Sequence, residues 1–161
     1  MKTLKRRRKE NKTDYGKRLE MLKGGIPRAV FRKTNRYLIA EYVESEEAQD
    51  KVIMTLNSKI LTKYGWPKES KSIKSLPASY LLGMVMAHKI NSGKLKSPII
   101  DFGMHINTQK NKLFAFIKGL IDGGVKIKCD AKNFPSNERI AGEHLTNKIA
   151  FEKIKSGIAK K

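Results

Sequence analysis

The alternation of charged and apolar residues near the start of the chain predicts a three-stranded meander. Between Arg28 and Lys33 one face carries two arginines and the other is mainly apolar, with the two-residue period of a strand. Thr34-Asn35 supplies a turn, and the stretches Tyr37–Val43 and Lys51–Leu56 supply two more strands. Because short connections join these strands, we expect them to pair antiparallel.

Capping residues and helical spacing predict helices on both sides of this meander. A short helix starts at Thr13-Asp14 and ends at Gly24-Gly25. A long helix starts after Ser75 and ends near Asn91, and an amphipathic helix spans Asn111–Asp122. The long helix carries a stripe of small residues that favours close packing against a neighbour, namely Ser79, Gly83 and Ala87.

The following stretches predict a strand on either side of the Asn111–Asp122 helix. Pro98–Gly103 is apolar with little alternation, as in a strand covered on both faces, and Val125–Cys129 has the pattern of a last strand. A strand–helix–strand order implies a right-handed parallel crossover. The expected fold is therefore α/β, with a mixed sheet in which a three-strand antiparallel meander is followed by a βαβ crossover and helices cover the faces.

A chain of 161 residues is long enough for one domain, and we expect it to carry two appended ends. Residues 1–25 form a basic N-terminal extension with a short helix, and residues 26–135 form the α/β domain. Residues 136–161 form a C-terminal helix and a basic tail, which should fray from Lys153 to Lys161.

The charge of the chain points to a polyanionic partner. Lys and Arg number 35 against 15 Asp and Glu, a formal net charge of +20. More than half of this excess lies in the first 36 residues, where the block Lys5–Lys9 should be disordered in the free protein. Five acids between Glu41 and Asp50 indicate a solvent-facing turn held away from the polyanion. Nucleic acid is the first candidate partner and an anionic membrane surface the second.

Several other protein classes are disfavoured. The chain has no apolar run long enough to span a membrane, and its basic start is not followed by the apolar stretch of a secretory signal. The single cysteine, Cys129, excludes an internal disulfide framework and a cysteine-based zinc site. A soluble, intracellular protein is expected.

Candidate catalytic chemistry is sparse. The glycines lack the spacing of a phosphate-binding loop, and the three histidines are too far apart in sequence to suggest a metal site. Asp101 lies in an apolar strand, and a metal-dependent nuclease could use it with Asp122, Asp130 and Glu143. A structural Asp101 that accepts hydrogen bonds is the favoured interpretation. We expect no enzyme, no cofactor, no metal and no small-molecule substrate.

The segment Pro27–Tyr37 is the most informative for binding. It combines arginines and lysine for phosphates, an amide and a hydroxyl for polar contacts, and an aromatic ring for stacking. These groups suit folded RNA, whose sugar–phosphate surface and splayed bases are accessible. Two other interpretations stay open, an edge strand protected by its charges and a basic DNA-packaging protein that would not distinguish RNA folds.

The chain resembles a known family along most of its length. The resemblance rests on the tract RRRKENKTDYGKRLEMLKGGIPRAVFRKTNRY, on Tyr64-Gly65-Trp66, on LPASYLLG from Leu76, on Ile100–Gly103, on Lys118–Gly123 and on Arg139–His144. In this order these motifs are similar to the archaeal type of the 5S-rRNA-binding protein of the large ribosomal subunit, the eighteenth large-subunit family.

The resemblance implies a structural protein of the cytoplasmic ribosome that binds 5S rRNA and helps attach it to the large-subunit rRNA in the central protuberance. Its partners would be both RNAs and neighbouring ribosomal proteins, with no membrane. The RNA-contacting positions that the resemblance implies are Arg6, Arg7, Arg8, Tyr15, Arg18, Arg28, Arg32, Lys33, Asn35 and Arg36. The residue pattern itself adds Lys5, Lys9, Lys12, Thr34, Tyr37 and Trp66. The lysine-rich loop Lys68–Lys74 and the basic C-terminal end lie outside the family pattern.

Overall fold

A mixed sheet of four strands forms one layer of the computed structural model, which describes residues 3–47, 49–67, 72–145 and 149–159. The strands lie in the order β3-β2-β1-β4. Their bounds are β1 (Arg28–Lys33), β2 (Leu38–Glu46), β3 (Gln49–Asn57) and β4 (Ile99–Asp101). The first three strands pair antiparallel, which confirms the predicted meander, and β4 pairs parallel to β1. The α/β fold with a mixed sheet is confirmed.

The hairpin between β2 and β3 is tighter than predicted. Both strands extend into the acidic stretch, where Ser45 pairs with Asp50 and Glu46 with Gln49. Glu47, at the tip, has a φ of 46°, in the left-handed region that a tight turn requires. Four of the five acids therefore belong to the strands and only Glu47 to the turn, while Glu46, Glu47 and Asp50 face solvent as predicted.

The predicted crossover is wrong in its last element. Val125–Cys129 is not a strand, and the parallel partner of β4 is β1. Val125 is buried, while Ile127 and Cys129 pack against the core from partly exposed positions. Alternation correctly indicates which side of the segment faces the core, but it does not distinguish side-chain packing from hydrogen bonding in a sheet.

Two long helices cover the sheet. The predicted cap of the first, Ser75, is confirmed, and the second also begins after a capping residue, Asn111. Ser75 accepts the amide of Ala78 before α3 (Leu76–Ser92), and Asn111 accepts the amides of Leu113 and Phe114 before α4 (Lys112–Asp122). Phe116 of α4 packs on Phe31 of β1, with ring centroids 4.5 Å apart. The aromatic contact joins the helix layer to the sheet.

Small residues allow α3 and α4 to pack backbone against backbone, as the small-residue stripe predicts. A Cβ atom at Gly83 would lie 2.3 Å from the carbonyl oxygen of Phe116. A Cβ atom at Gly119 would lie 2.1 Å from the carbonyl oxygen of Tyr80. Only glycine therefore fits at these two positions, and the crossing fixes how α4 lies over the sheet.

The two ends of the chain are helical. At the N-terminus are α1 (Arg6–Lys9), where disorder is the sequence expectation, and α2 (Tyr15–Lys23), whose predicted start at Thr13-Asp14 is confirmed. The capping side chain is that of Asp14, which accepts the Lys17 amide, and not the hydroxyl of Thr13. At the C-terminus are α5 (Asn137–Ala141) and α6 (Phe151–Ala159). The expected fraying from Lys153 is wrong for residues 153–159, which are part of the helix α6.

The apolar spacing of α6 explains why the C-terminal end is ordered. Phe151, Ile154 and Ile158 recur at intervals of three and four residues and are buried on one face. This face packs against α3 and against the 3-10 helix Ser58–Tyr64.

Two expectations are not tested by the structure. Most of the predicted 68–74 loop, residues 68–71, lies outside the described residues. The division into a domain and two appended ends stays a prediction.

Candidate nucleic-acid interface

Arg28, a predicted RNA contact, points into the protein. Its side chain is 4% exposed and lies between two carboxylates. Its Nη2 donates to Asp50 Oδ1 at 2.7 Å and to Ser45 Oγ at 3.1 Å, while its Nη1 donates to Asp101 Oδ2 at 3.3 Å. A guanidinium buried between two aspartates serves the fold, so we leave Arg28 out of the candidate interface.

Trp66, another predicted RNA contact, is also in the interior. It is 4% exposed and belongs to the hydrophobic core cluster. Its backbone N–H donates to the carbonyl oxygen of Leu61, which closes the 3-10 helix Ser58–Tyr64. The ring therefore has no accessible face for a base in this structure.

The last residue of β4 and the loop after it, residues 101–105, contact three of the residues predicted as cationic RNA contacts, and we call this segment the 101–105 loop. Arg32 Nη1 donates to the carbonyl oxygen of Asp101 at 2.9 Å. Arg8 Nη1 lies 2.8 Å from Met104 Sδ, and the backbone N–H of Lys33 donates to His105 Nε2 at 3.4 Å. The N-terminal extension and the end of β1 thus meet at one place.

Sequence reasoning missed Met104 and His105 because nothing in their local spacing links them to the basic block. Burial, together with the charges of Lys33 and Arg32, lowers the pKa of His105 below its ordinary value. The imidazole is therefore neutral at pH 7, as its acceptance of the Lys33 amide requires.

The turn after β1 presents polar groups to solvent. Thr34 closes it, since its hydroxyl donates to the Tyr37 carbonyl oxygen at 2.8 Å and accepts the Tyr37 amide at 3.0 Å. Asn35 and Arg36 are exposed at the tip. The Tyr37 ring is half-buried, with Lys59 Nζ 4.6 Å from its centroid. The tip, more than Tyr37, is the accessible part of the turn.

The basic block is held in place mainly by local contacts. Arg8 pairs with Asp14 at 2.7 Å, and Arg7 donates to Thr13 at 3.0 Å. Lys5 Nζ lies 4.8 Å from the centroid of the Tyr15 ring. Two further exposed cations pair with one acid, in the contacts Arg6–Glu10 and Lys12–Glu10, while Lys9 is exposed. Solvent-exposed pairs of this kind contribute ~0–1 kcal/mol, so phosphates can readily replace these acids.

One ion pair ties the extension to the sheet. Arg18 of α2 donates to Asp50 Oδ2 at 2.8 Å, on the carboxylate that also holds Arg28. Burial would raise the pKa of Asp50, but the hydrogen bonds from Ser45 and Arg28 and the two arginine charges outweigh it and hold that pKa below 3.8. Asp50 therefore stays ionised well into the acid range.

Replacing Asp50 by asparagine should lower the free energy of unfolding at pH 7 by about 1–2 kcal/mol, because Arg18 and Arg28 lose a charged partner. A carboxyl with a depressed pKa stabilises fully above its unfolded value and loses this contribution as pH falls through the folded value. The difference between Asp50→Asn and the native chain should therefore shrink below pH 3.8. Urea unfolding across pH measures it.

Asp130→Asn is the matched control, since Asp130 is exposed and forms no ion pair with any described residue. It should change stability by less than about 0.5 kcal/mol. A gap for Asp50→Asn that stayed constant down to pH 2 would contradict the assigned ion pairs.

Asp101 has the structural role that the sequence favours. It is 5% exposed and accepts hydrogen bonds from Arg28, Arg32 and the Gly103 amide, the last at 2.7 Å. Asp122, a possible metal-binding companion, accepts the Tyr80 hydroxyl at 2.7 Å instead. Across the described ranges, no group of three or more acidic, histidine or cysteine side chains could hold a metal ion. None of the helices described is long and apolar enough to cross a bilayer.

The fold and its charges define a class of protein before any comparison. A small α/β domain brings Arg8, Arg32 and Lys33 together at the 101–105 loop, and exposed cations are also present in the β1 turn and the N-terminal extension. The most buried carboxylate among the described residues, that of Asp101, forms ion pairs with Arg28 and Arg32. These features are typical of a basic polyanion-binding protein.

The family follows from comparison with known proteins. The model of the family described as "Ribosomal large subunit proteins 60S L5, and 50S L18" matches residues 1–98. The chain therefore belongs to this family of large-subunit ribosomal proteins.

Archaeal relatives, each named "Large ribosomal subunit protein uL18", support the assignment. The one from Korarchaeum cryptofilum is 40% identical over 142 residues, 88% of this chain and 71% of the relative. The one from Methanoregula boonei is 37% identical over 87% of this chain and 79% of its own length. The one from Caldivirga maquilingensis is 36% identical over 90% of this chain and 69% of its own length.

Membership confirms the archaeal type of the family and a structural, non-enzymatic role in the large subunit of the cytoplasmic ribosome, with rRNA as partner. The nuclease interpretation of Asp101 is set aside, since both its contacts and the family oppose it.

Proposed function

We propose that this chain binds 5S rRNA and helps attach it to the large-subunit rRNA in the central protuberance, beside neighbouring ribosomal proteins. The observation that supports this most is the meeting of Arg8, Arg32 and Lys33 at the 101–105 loop. It joins the N-terminal extension to the β1 turn in one continuous surface. We call this surface the basic face and define it by Arg8, Arg32, Lys33, Asn35 and Arg36.

The basic face combines charge with order. Arg32 is 39% exposed, yet its guanidinium is fixed by the carbonyl and carboxylate oxygens of Asp101. A guanidinium that is already oriented loses less entropy when it pairs with a phosphate. Asn35 adds an amide for polar contacts, while flexible lysines such as Lys9 add attraction of lower specificity.

The set of proposed contacts is smaller than the sequence predicts. Arg28 and Trp66 are buried, the Thr34 hydroxyl is engaged within the turn, and the half-buried Tyr37 ring lies against Lys59. The contacts that remain are Lys5, Arg6, Arg7, Arg8, Lys9, Lys12, Tyr15, Arg18, Arg32, Lys33, Asn35 and Arg36. If these reach ~6–10 phosphates, affinity should fall by ~10³–10⁵ between 50 and 200 mM salt.

Replacing Arg32 and Arg36 together by alanine should weaken 5S rRNA binding by about 30-fold or more, since two charge-assisted contacts are lost. Replacing Lys9 and Lys12 removes the same charge from the extension and should weaken binding only a few-fold, because the exposed lysine side chains are not oriented by buried partners as Arg32 is by Asp101 and lose more side-chain entropy on binding. Fluorescence anisotropy with labelled 5S rRNA at two salt concentrations measures both.

Three controls accompany this experiment. Arg36→Ala alone tests an exposed side chain without a hydrogen bond to any described residue, so its effect is free of any loss of folding. Lys126→Ala with Lys128→Ala removes two exposed charges away from the basic face and should have little effect. Equal affinity for 5S rRNA and for duplex DNA of equal length at physiological salt would refute the proposal. A larger loss from the lysine pair would show that the basic face is not the specific surface.

A further inference from the structure

A cationic cleft of about 910 Å³ opens beside the basic face. It lies where the end of β1, the segment 104–110 and the first turns of α3 and α4 come together, with α5 on one side. Its basic lining residues are Lys33, Lys110, Lys112 and Arg139, with His105 and His144. No carboxylate is among the described residues that line it. A cavity lined only by cationic and neutral groups favours an anionic ligand.

The lysines of the cleft are not neutralised by the protein. Burial, and then the charges of Lys74 and Lys33, lower the pKa of Lys112 below its ordinary value. Within the described part of the chain, no ion pair involves the lining lysines Lys33, Lys110 and Lys112. Like charges held together without a counter-charge destabilise the fold, and a bound anion would relieve this repulsion.

Two helix starts add to the positive potential of the cleft. Ser75 and Leu76 at the start of α3, and Asn111 and Lys112 at the start of α4, all line it. Amides in both first turns are already capped, since Asn111 Oδ1 accepts the Leu113 amide at 2.7 Å. The helices therefore contribute the field of their dipoles, and the lysine side chains supply the hydrogen bonds to a ligand.

We infer that this cleft binds a phosphodiester group of the ribosomal RNA backbone. Its volume lies in the range of sites that hold a nucleotide-sized group. Lys33 belongs both to the cleft and to the basic face, so an RNA strand can pass from one to the other. The inference rests on the proposed function and deepens it by assigning one phosphate site, and either 5S rRNA or the large-subunit rRNA can supply the phosphate.

The first test uses inorganic phosphate as the probe and thermal unfolding as the readout. Phosphate should raise the Tm of the native chain by a few degrees over chloride at equal ionic strength. Lys112→Gln should lose this rise but unfold at a higher Tm in chloride, because it removes a repelled charge. Lys112→Arg should retain the rise, and so should the control Lys126→Gln, whose exposed lysine does not line the cleft.

These variants separate a binding role from a structural role. Lys110→Gln, at an exposed position of the lining, gives a second test if Lys112→Gln does not fold. A phosphate-dependent rise in Tm as large in Lys112→Gln and Lys110→Gln as in the native chain would overturn the inference.

The second test identifies the source of the phosphate. Acetylation of lysines, read by mass spectrometry, should be reduced at Lys110 and Lys112 when the protein is bound to rRNA, and unchanged at Lys126. Protection by 5S rRNA assigns the phosphate to that RNA, whereas protection only by the large-subunit rRNA supports the inference even if 5S binding fails. In salt titrations with the protecting RNA, Lys112→Gln should reduce the slope by about one. Phosphate binding without protection by either RNA would overturn the assignment to RNA.

Discussion

Replacing Gly119 by alanine should lower the free energy of unfolding by about 3 kcal/mol or more. The new Cβ would lie 2.1 Å from the carbonyl oxygen of Tyr80 and 3.1 Å from the backbone nitrogen of Met84. These are backbone atoms of α3, so no side-chain rotation relieves the overlap and the two helices must separate. The loss exceeds the ~1 kcal/mol that alanine gains in helix propensity. Urea unfolding followed by circular dichroism measures it.

The control for this substitution is Gly157→Ala in the last turn of α6. A Cβ at Gly157 would lie 4.0 Å from Tyr64 Cδ1, an ordinary van der Waals contact. This variant should be more stable than the native chain by about 0.5–1 kcal/mol, since alanine restricts the unfolded chain. If both variants changed stability in the same direction and by similar amounts, the close crossing of α3 and α4 would not be the cause.

Sequence patterns predict local structure well in this protein because the interactions that start and end its elements are local. Asp14, Ser75 and Asn111 cap the helices that follow them through amides two or three residues away. The three-stranded meander could also be predicted from the sequence, since its strands are consecutive and joined by short turns. Even the contact at Gly83 follows from small residues at helical spacing.

The pairing of distant elements could not be predicted in the same way. The β4 strand is three residues long and lies beside β1, about 70 residues earlier in the chain. Val125–Cys129 has a stronger strand pattern than β4, yet it packs without joining the sheet. Periodicity identifies the buried side of a segment, but the backbone partner is decided by tertiary packing.

The same limit applies to the candidate site. Strand alternation places Arg28 and Arg32 on one face, but it does not show that Asp101, 73 residues away from Arg28, buries one and orients the other. A usable signal did exist, because an aspartate within the apolar run at Ile99–Phe102 requires a buried partner. Arginines on a neighbouring strand are natural partners for such an aspartate.

Replacing Asp101 by asparagine should lower the free energy of unfolding by about 3 kcal/mol, the second large effect that we expect. The Arg28 side chain is only 4% exposed, and it would lose one of the two carboxylates that compensate its buried charge. Removing one partner of a buried ion pair typically costs ~3–5 kcal/mol, and the remaining Asp50 keeps the value near the lower end. Urea unfolding at pH 7 measures the loss, with the exposed Asp130→Asn as control.

RNA binding by Asp101→Asn tests whether orientation or net charge governs the basic face. The substitution removes a negative charge, so electrostatic attraction alone predicts tighter binding to 5S rRNA. It also removes the carboxylate that lies 3.4 Å from Arg32 Nη2. We expect the folded variant to bind several-fold more weakly, because Arg32 must then be ordered by the RNA. Tighter binding, measured by anisotropy at a temperature where the variant is folded, would show that charge outweighs the orientation that Asp101 provides.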